Sequence, residues 1–127
     1  MQDKFLFEYA VIRVMPRVER EEFLNVGVIL YCAKQKFLNS LILIDEERLS
    51  IFGPELDLVT VSDNLHAFKK ISEGTKGSGP IGQYDQPSRF RWLTATRSTV
   101  VQCSKVHPGF CSDPNETLHK LMEQLVR

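Results

Sequence analysis

Leu24-Asn-Val-Gly-Val-Ile-Leu-Tyr-Cys32 reads as a β-strand, and the fold follows from what stands on either side of it. Alternate positions separate into a wholly apolar face, Leu24, Val26, Val28, Leu30 and Cys32, and a mixed one, Phe23, Asn25, Gly27, Ile29 and Tyr31. The apolar set points to a core. Upstream, Phe7 to Met15 alternates in the same way with both faces substantially apolar, and Pro16 stops it before the charged connection Arg17 to Glu22. Downstream, a short polar link from Ala33 to Lys36 leads into a third strand over Phe37 to Ile44. The second and third strands then form an antiparallel hairpin.

Helices follow. Asp45 is placed to cap a short one, with Glu46 and Glu47 in its first turn, Leu49 and Phe52 inward, and Gly53-Pro54 as its stop. A second lies within Leu56 to Ser72, where Leu58, Val61, Leu65 and Phe68 recur at helical spacing. Gly74 to Ser88, with four glycines and two prolines, offers little to a core and reads as a flexible loop. A fourth strand region is expected from about Phe90 to Gln102, and His107-Pro108-Gly109 reads as a turn. Asp113 caps a last helix with Pro114 at its first position. Leu118, Leu121, Met122, Leu125 and Val126 make its apolar stripe. The expected architecture is a single α+β domain over 1–127. It has an antiparallel sheet of about five strands, three helices mainly on one face, and a loop at about 74–88.

Composition narrows the function classes. Sixteen Lys and Arg balance sixteen Asp and Glu, so no global field draws the chain to nucleic acid or an anionic membrane. The start of the chain does not read as a signal peptide, and no apolar run approaches the ~20 residues that span a bilayer. Cys32, Cys103 and Cys111 cannot all pair within the chain, which suits reduced thiols in the cytoplasm. A homo-oligomer is left open.

Familiar chemistries find weak footing. Gly74-Thr-Lys-Gly-Ser-Gly79 lacks the strand before it and the terminal Lys-Ser/Thr that a phosphate loop needs. Cys103, His107 and Cys111 stand four residues apart without the tight pairs of a zinc site, so no metal and no cofactor is expected. Two features stand out instead. Arg13, Asn25 and Gly27 interrupt apolar strands, and Arg13, Asn25 and Arg97 are the candidate residues for a phosphate-bearing or nucleotide-like ligand. Between Pro87 and His107, Arg89, Arg91, Arg97 and Lys105 meet no acid, a local charge of +4. There Arg89-Phe90-Arg91-Trp92 alternates guanidinium with aromatic, as RNA-binding strands do, against the plainer reading of a half-buried strand with its arginines outward.

Four blocks in order carry a resemblance: Tyr9-Ala-Val-Ile-Arg13, Glu22-Phe-Leu-Asn-Val-Gly-Val-Ile-Leu30, Leu93-Thr-Ala-Thr-Arg-Ser-Thr-Val-Val-Gln102, and Asp113-Pro114. Nearly end to end, the chain resembles the bacterial domain-of-unknown-function family numbered 3037. That resemblance implies a small bacterial cytoplasmic protein encoded beside a HipA-like serine/threonine kinase, hence a partner rather than a catalyst, and it carries over no catalytic residue. The leading expectation is a non-enzymatic binding or adaptor domain with a HipA-like kinase as partner. The alternative is an enzyme or binder acting on a phosphate-bearing or nucleotide-like ligand, and a third reading is an RNA-binding module.

Overall fold

The central strand of the sheet is β1 (Phe5–Val14), and every other strand is placed by it. On one side it pairs with β2 (Leu24–Cys32), which pairs with β3 (Phe37–Ile42) at the outer edge. On the other side β1 is shared between two short strands: β4 (Val101–Cys103) against its end and β5 (His107–Cys111) against its beginning. All pairings are antiparallel. The structure is a computed structural model and describes residues 4–95 and 99–127. Ser104 bridges the step from β4 to β5: its N–H donates to Val11 O (2.8 Å) and its hydroxyl accepts from Val11 N–H (2.8 Å). No buried ladder group of Val11 is left without a partner.

Both faces of the sheet carry helices. Ala10, Ile12, Val14, Ile29 and Leu38 meet Leu49 of α1 (Glu46–Phe52) and Val61, Leu65 and Phe68 of α2 (Leu58–Glu73). Phe90 and Leu93 of α3 (Gln86–Thr94) complete that core. On the opposite face Phe7, Val28, Leu30, Cys32 and Cys111 meet Leu118, Met122 and Val126, which α4 (Pro114–Leu125) and its cap supply. The α+β class and the antiparallel five-stranded sheet are as read from the sequence. The helix count is not: there are four α-helices among the described residues where three were expected, three of them on one face and α4 alone on the other. An apolar stripe shows that a helix docks but does not say on which side. The sign of a two-sided sheet lay in β2, where Val28 and Leu30 alternate with the equally buried Ile29.

Two segments differ more sharply. The expected loop ends early, because Ile81–Gln83 forms a 3-10 turn and Asp85 caps α3 by accepting from Ser88 N–H at 3.0 Å. The strand expected from Phe90 is therefore the body of that helix, with Pro87 in its first turn, and only Val101–Cys103 is extended. Alternating aromatics imitate period two, but Phe90 and Leu93 are buried at a helical separation. His107-Pro108-Gly109 is not a turn either; it belongs to β5, where an edge position excuses Pro108 from donating a ladder hydrogen bond.

Candidate functional site around Arg13 and Asn25

A bulge organises this end of the sheet. Ile12 pairs with Gly27, but the next residue, Arg13, pairs with Asn25, so Val26 is an extra residue in β2. Strict alternation would put Asn25 on the face of Ile29. The bulge turns it to the other face, that of Val28 and Leu30, while Leu24 and Val26 pack into the core under α1–α3. Gly27 is explained by the neighbouring strand: a Cβ there would stand 2.4 Å from the Leu41 carbonyl oxygen. What approaches it most closely is the backbone of β3.

Arg13 and Asn25 thus lie side by side beyond the end of α4. Asn25 donates from Nδ2 to Leu125 O at 3.0 Å, satisfying a last-turn carbonyl of the helix. Its Oδ1 is buried and has no donor. The Arg13 guanidinium lies over the Phe23 ring, 3.8 Å from its centroid, while Nε is buried without an acceptor. On the far side of β1, Gln102 pairs with Arg13 and donates from Nε2 to Thr99 O at 2.6 Å. No carboxylate among the described residues lies within ion-pair distance of Arg13. Burial lowers its pKa from the ordinary arginine value, a shift that nearby Cys103 opposes, yet a guanidinium remains charged at neutral pH. The site is a cation on an aromatic ring between two side-chain amides, with one buried donor and one buried acceptor unmatched.

Of the three candidate residues, Arg13 and Asn25 are brought together and Arg97 lies outside the described residues. Sequence reasoning missed Phe23 as the ring beneath Arg13. Its signal was its place two residues before Asn25, hidden by an alternation that ignored the bulge.

The basic segment is differently arranged. Arg89 is buried, donates from Nη1 to Tyr84 O at 2.8 Å, and packs so closely on Gly74 that a Cβ there would come 3.0 Å from its Cζ. Phe90 points into the core against Tyr31, whereas Arg91 and Trp92 are exposed. The four residues do not form one stacking face, because a helix sends consecutive side chains about 100° apart. Cys103, His107 and Cys111 also separate. Cys103 donates to Leu93 O under α3, Cys111 lies beside Cys32 under α4, and His107 packs on Tyr9 with ring centroids 5.3 Å apart. Burial, with Cys32 alongside, raises the Cys111 thiol pKa, which suits a packed thiol rather than a nucleophile.

The model of a family described as proteins of unknown function (DUF3037) matches residues 9–126. No curated protein and no solved structure matches the chain.

Proposed function

Because the chain belongs to the DUF3037 family, with no activity attached to that membership, we propose its role from the Arg13 site: a non-enzymatic binding domain that accepts an acidic group of a protein partner. The observation that carries this reading is the unmatched Nε–H of Arg13, held partly out of water with no acid opposite it. A desolvated guanidinium is costly until an oxyanion takes its fork of donors, and a carboxylate fits that fork with two oxygens. Asn25 Oδ1 asks for the reverse, a donor beside the anion. An Asp or Glu side chain with a neighbouring main-chain N–H supplies both. Arg13, Asn25, Gln102 and Phe23 hold no group that exchanges protons near neutral pH, which favours binding over acid–base catalysis.

A HipA-like kinase is the partner to test first, on the strength of the family resemblance. Titration calorimetry of that kinase from the same host against the wild type and Arg13→Gln should show at least about a tenfold loss of affinity in the variant. Arg13→Lys should recover only part of it, since an ammonium lacks the planar fork. Equal binding by all three proteins rejects the site. The phosphate-bearing reading uses the same cation. Inorganic phosphate and ATP that displace the Asn25 side-chain amide resonances, with no kinase binding, would replace the protein partner by a small anion.

A further inference from the structure

A cavity of about 370 Å³ lies where α2, α3 and β4 meet. Phe68 and Ile71 of α2 and Leu93 of α3, each at most 9% exposed, give it an apolar lining, and Trp92 is part of its wall. Three consecutive residues of β4, Val101, Gln102 and Cys103, also line it. Consecutive side chains of a strand point to opposite faces, so a cavity touching all three lies against the strand's edge. The ladder agrees. Met15 N–H donates to Val100 O at 2.7 Å and Ser104 N–H donates to Val11 O at 2.8 Å, so even residues here turn their main chain to β1 and odd residues turn it outward. Val101 therefore directs its N–H and carbonyl to the cavity side. The carbonyl accepts from Thr99 Oγ1 at 2.8 Å, whereas among the described residues no acceptor meets the N–H. Asn64 of α2 adds a carboxamide that makes no hydrogen bond to another described residue. No charged side chain among the described residues lines the space.

We propose that this cavity binds a neutral, flat heterocycle of nucleobase size, with its ring among the apolar side chains and its polar edge on Val101 N–H and the Asn64 carboxamide. The size is that of a small molecule: sites of this kind run from about 300 to 1,000 Å³, and the lower end suits one or two fused rings. The charge follows from the wall. An ion entering it would lose its water with no opposite charge in return. The polar edge follows from the main chain. A purely apolar occupant would cover Val101 N–H and leave it without an acceptor, at the cost of its hydration. A ring nitrogen or carbonyl oxygen meets that donor. Asn64 offers a donor and an acceptor side by side, which matches a heterocycle carrying an acceptor next to an N–H, as carboxamides pair with the edge of adenine. The flat shape suits a wall that contains the Phe68 and Trp92 rings, on which aromatic molecules pack with more than their area alone. Nothing in this reasoning uses the Arg13 site, which calls for an anion.

Adenine is the probe and Trp92, the single tryptophan, is the reporter. Titration with adenine should change the Trp92 emission saturably, with toluene weaker for want of a polar edge and benzoate weaker for its charge. Asn64→Leu, at an exposed helix position, should weaken adenine roughly tenfold, the worth of a neutral hydrogen bond, and leave toluene unchanged. Ala67→Phe, also exposed on α2, fills the space and should remove adenine binding while the unfolding midpoint stays in place. The location has its own readout. Cys103 is half-buried in the cavity wall while Cys32 and Cys111 are buried, so saturating adenine should slow the labelling of Cys103 by iodoacetamide. An emission indifferent to adenine, benzoate or toluene binding as tightly as adenine, an Asn64→Leu variant with wild-type affinity, or a quench without slower labelling of Cys103 overturns the inference. Arg13→Gln should bind adenine as the wild type does, so the two sites fail or stand separately.

Discussion

A methyl group on Gly27 would stand 2.4 Å from the Leu41 carbonyl oxygen, and backbone in the middle of a sheet cannot retreat as a side-chain tip can. Gly27→Ala is therefore expected to cost about 1–3 kcal/mol, read as a fall in the urea midpoint at constant slope. A value near zero would mean that β3 sits further off than the register implies. Gly77 and Gly79 have open space around a Cβ, so their constraint is the positive φ of 88° and 92° alone. Gly27 could be recognised in the sequence as an anomaly, because a strand interior rarely drops its side chain without cause. Its cause could not, since close approach by Leu41 depends on a pairing register that only the assembled sheet fixes. The same limit hid the partnership of Arg13 with Phe23. Arg13 and Asn25 were visible as polar residues in apolar strands, but their contact depends on an unannounced extra residue.

Helix starts were the most legible elements, because their chemistry is local. Asp45, Asp57, Asp85 and Asp113 each accept the N–H groups of a first turn, and Asp45 and Asp113 stand where the sequence reading put them. Hydrogen bonds from the Thr60 hydroxyl and N–H lower the pKa of Asp57, and those from Ser88 lower that of Asp85. A carboxyl whose folded pKa lies below its unfolded one stabilises above the unfolded value, and loses that contribution as pH falls through the folded value. Acidification from pH 5 should therefore loosen the starts of α2 and α3, seen as a lower protection of the Thr60 and Ser88 amides relative to the intrinsic exchange rate at each pH. In Asp57→Ala and Asp85→Ala those amides should exchange faster at pH 5 and respond less to further acid. An unaltered pH response in the variants would detach the caps from the effect. α3 itself was misread because Arg89-Phe-Arg-Trp92 satisfies a strand pattern over four residues. The Asp85 cap, the Pro87 in the first turn and the Phe90–Leu93 spacing all argued for a helix, but they extend beyond that window.

At the scale of the molecule, one sheet serves two cores, and the strands belong to both at once. Leu65 of α2 and Leu118 of α4 are both fully buried on opposite faces, and truncating either to Ala should cost about 2–5 kcal/mol. Trp92, the single tryptophan, lies on α3 and reports the first face only. If the sheet couples the two sides, Leu118→Ala should lower the midpoint seen by Trp92 fluorescence as much as that seen by circular dichroism. A fluorescence transition left in place while the dichroism curve splits would show that α4 melts on its own. Class and sheet type were accessible in advance because alternation and turn chemistry are written in short stretches. The division of helices between faces was not, since it is settled by the path of the connection from β5 to α4.

The bulge at Val26 also bears on how lengths in this family can vary. Everything before it in β2 is one residue out of phase with everything after it, so its side chains face the opposite way from a regular continuation. Removing a single residue there would not merely shorten a strand. It would restore the plain ladder with Arg13 still opposite Asn25 and Val14 still opposite Leu24, and so leave Leu24 in the core under α1–α3 and the Asn25 amide towards α4. A gap of one residue is therefore accommodated at the bulge itself or in the Arg17–Glu22 connection, whereas one elsewhere in β2 would turn part of the strand to the wrong face. When relatives are aligned, Gly27 is the position on which the two halves should be registered independently.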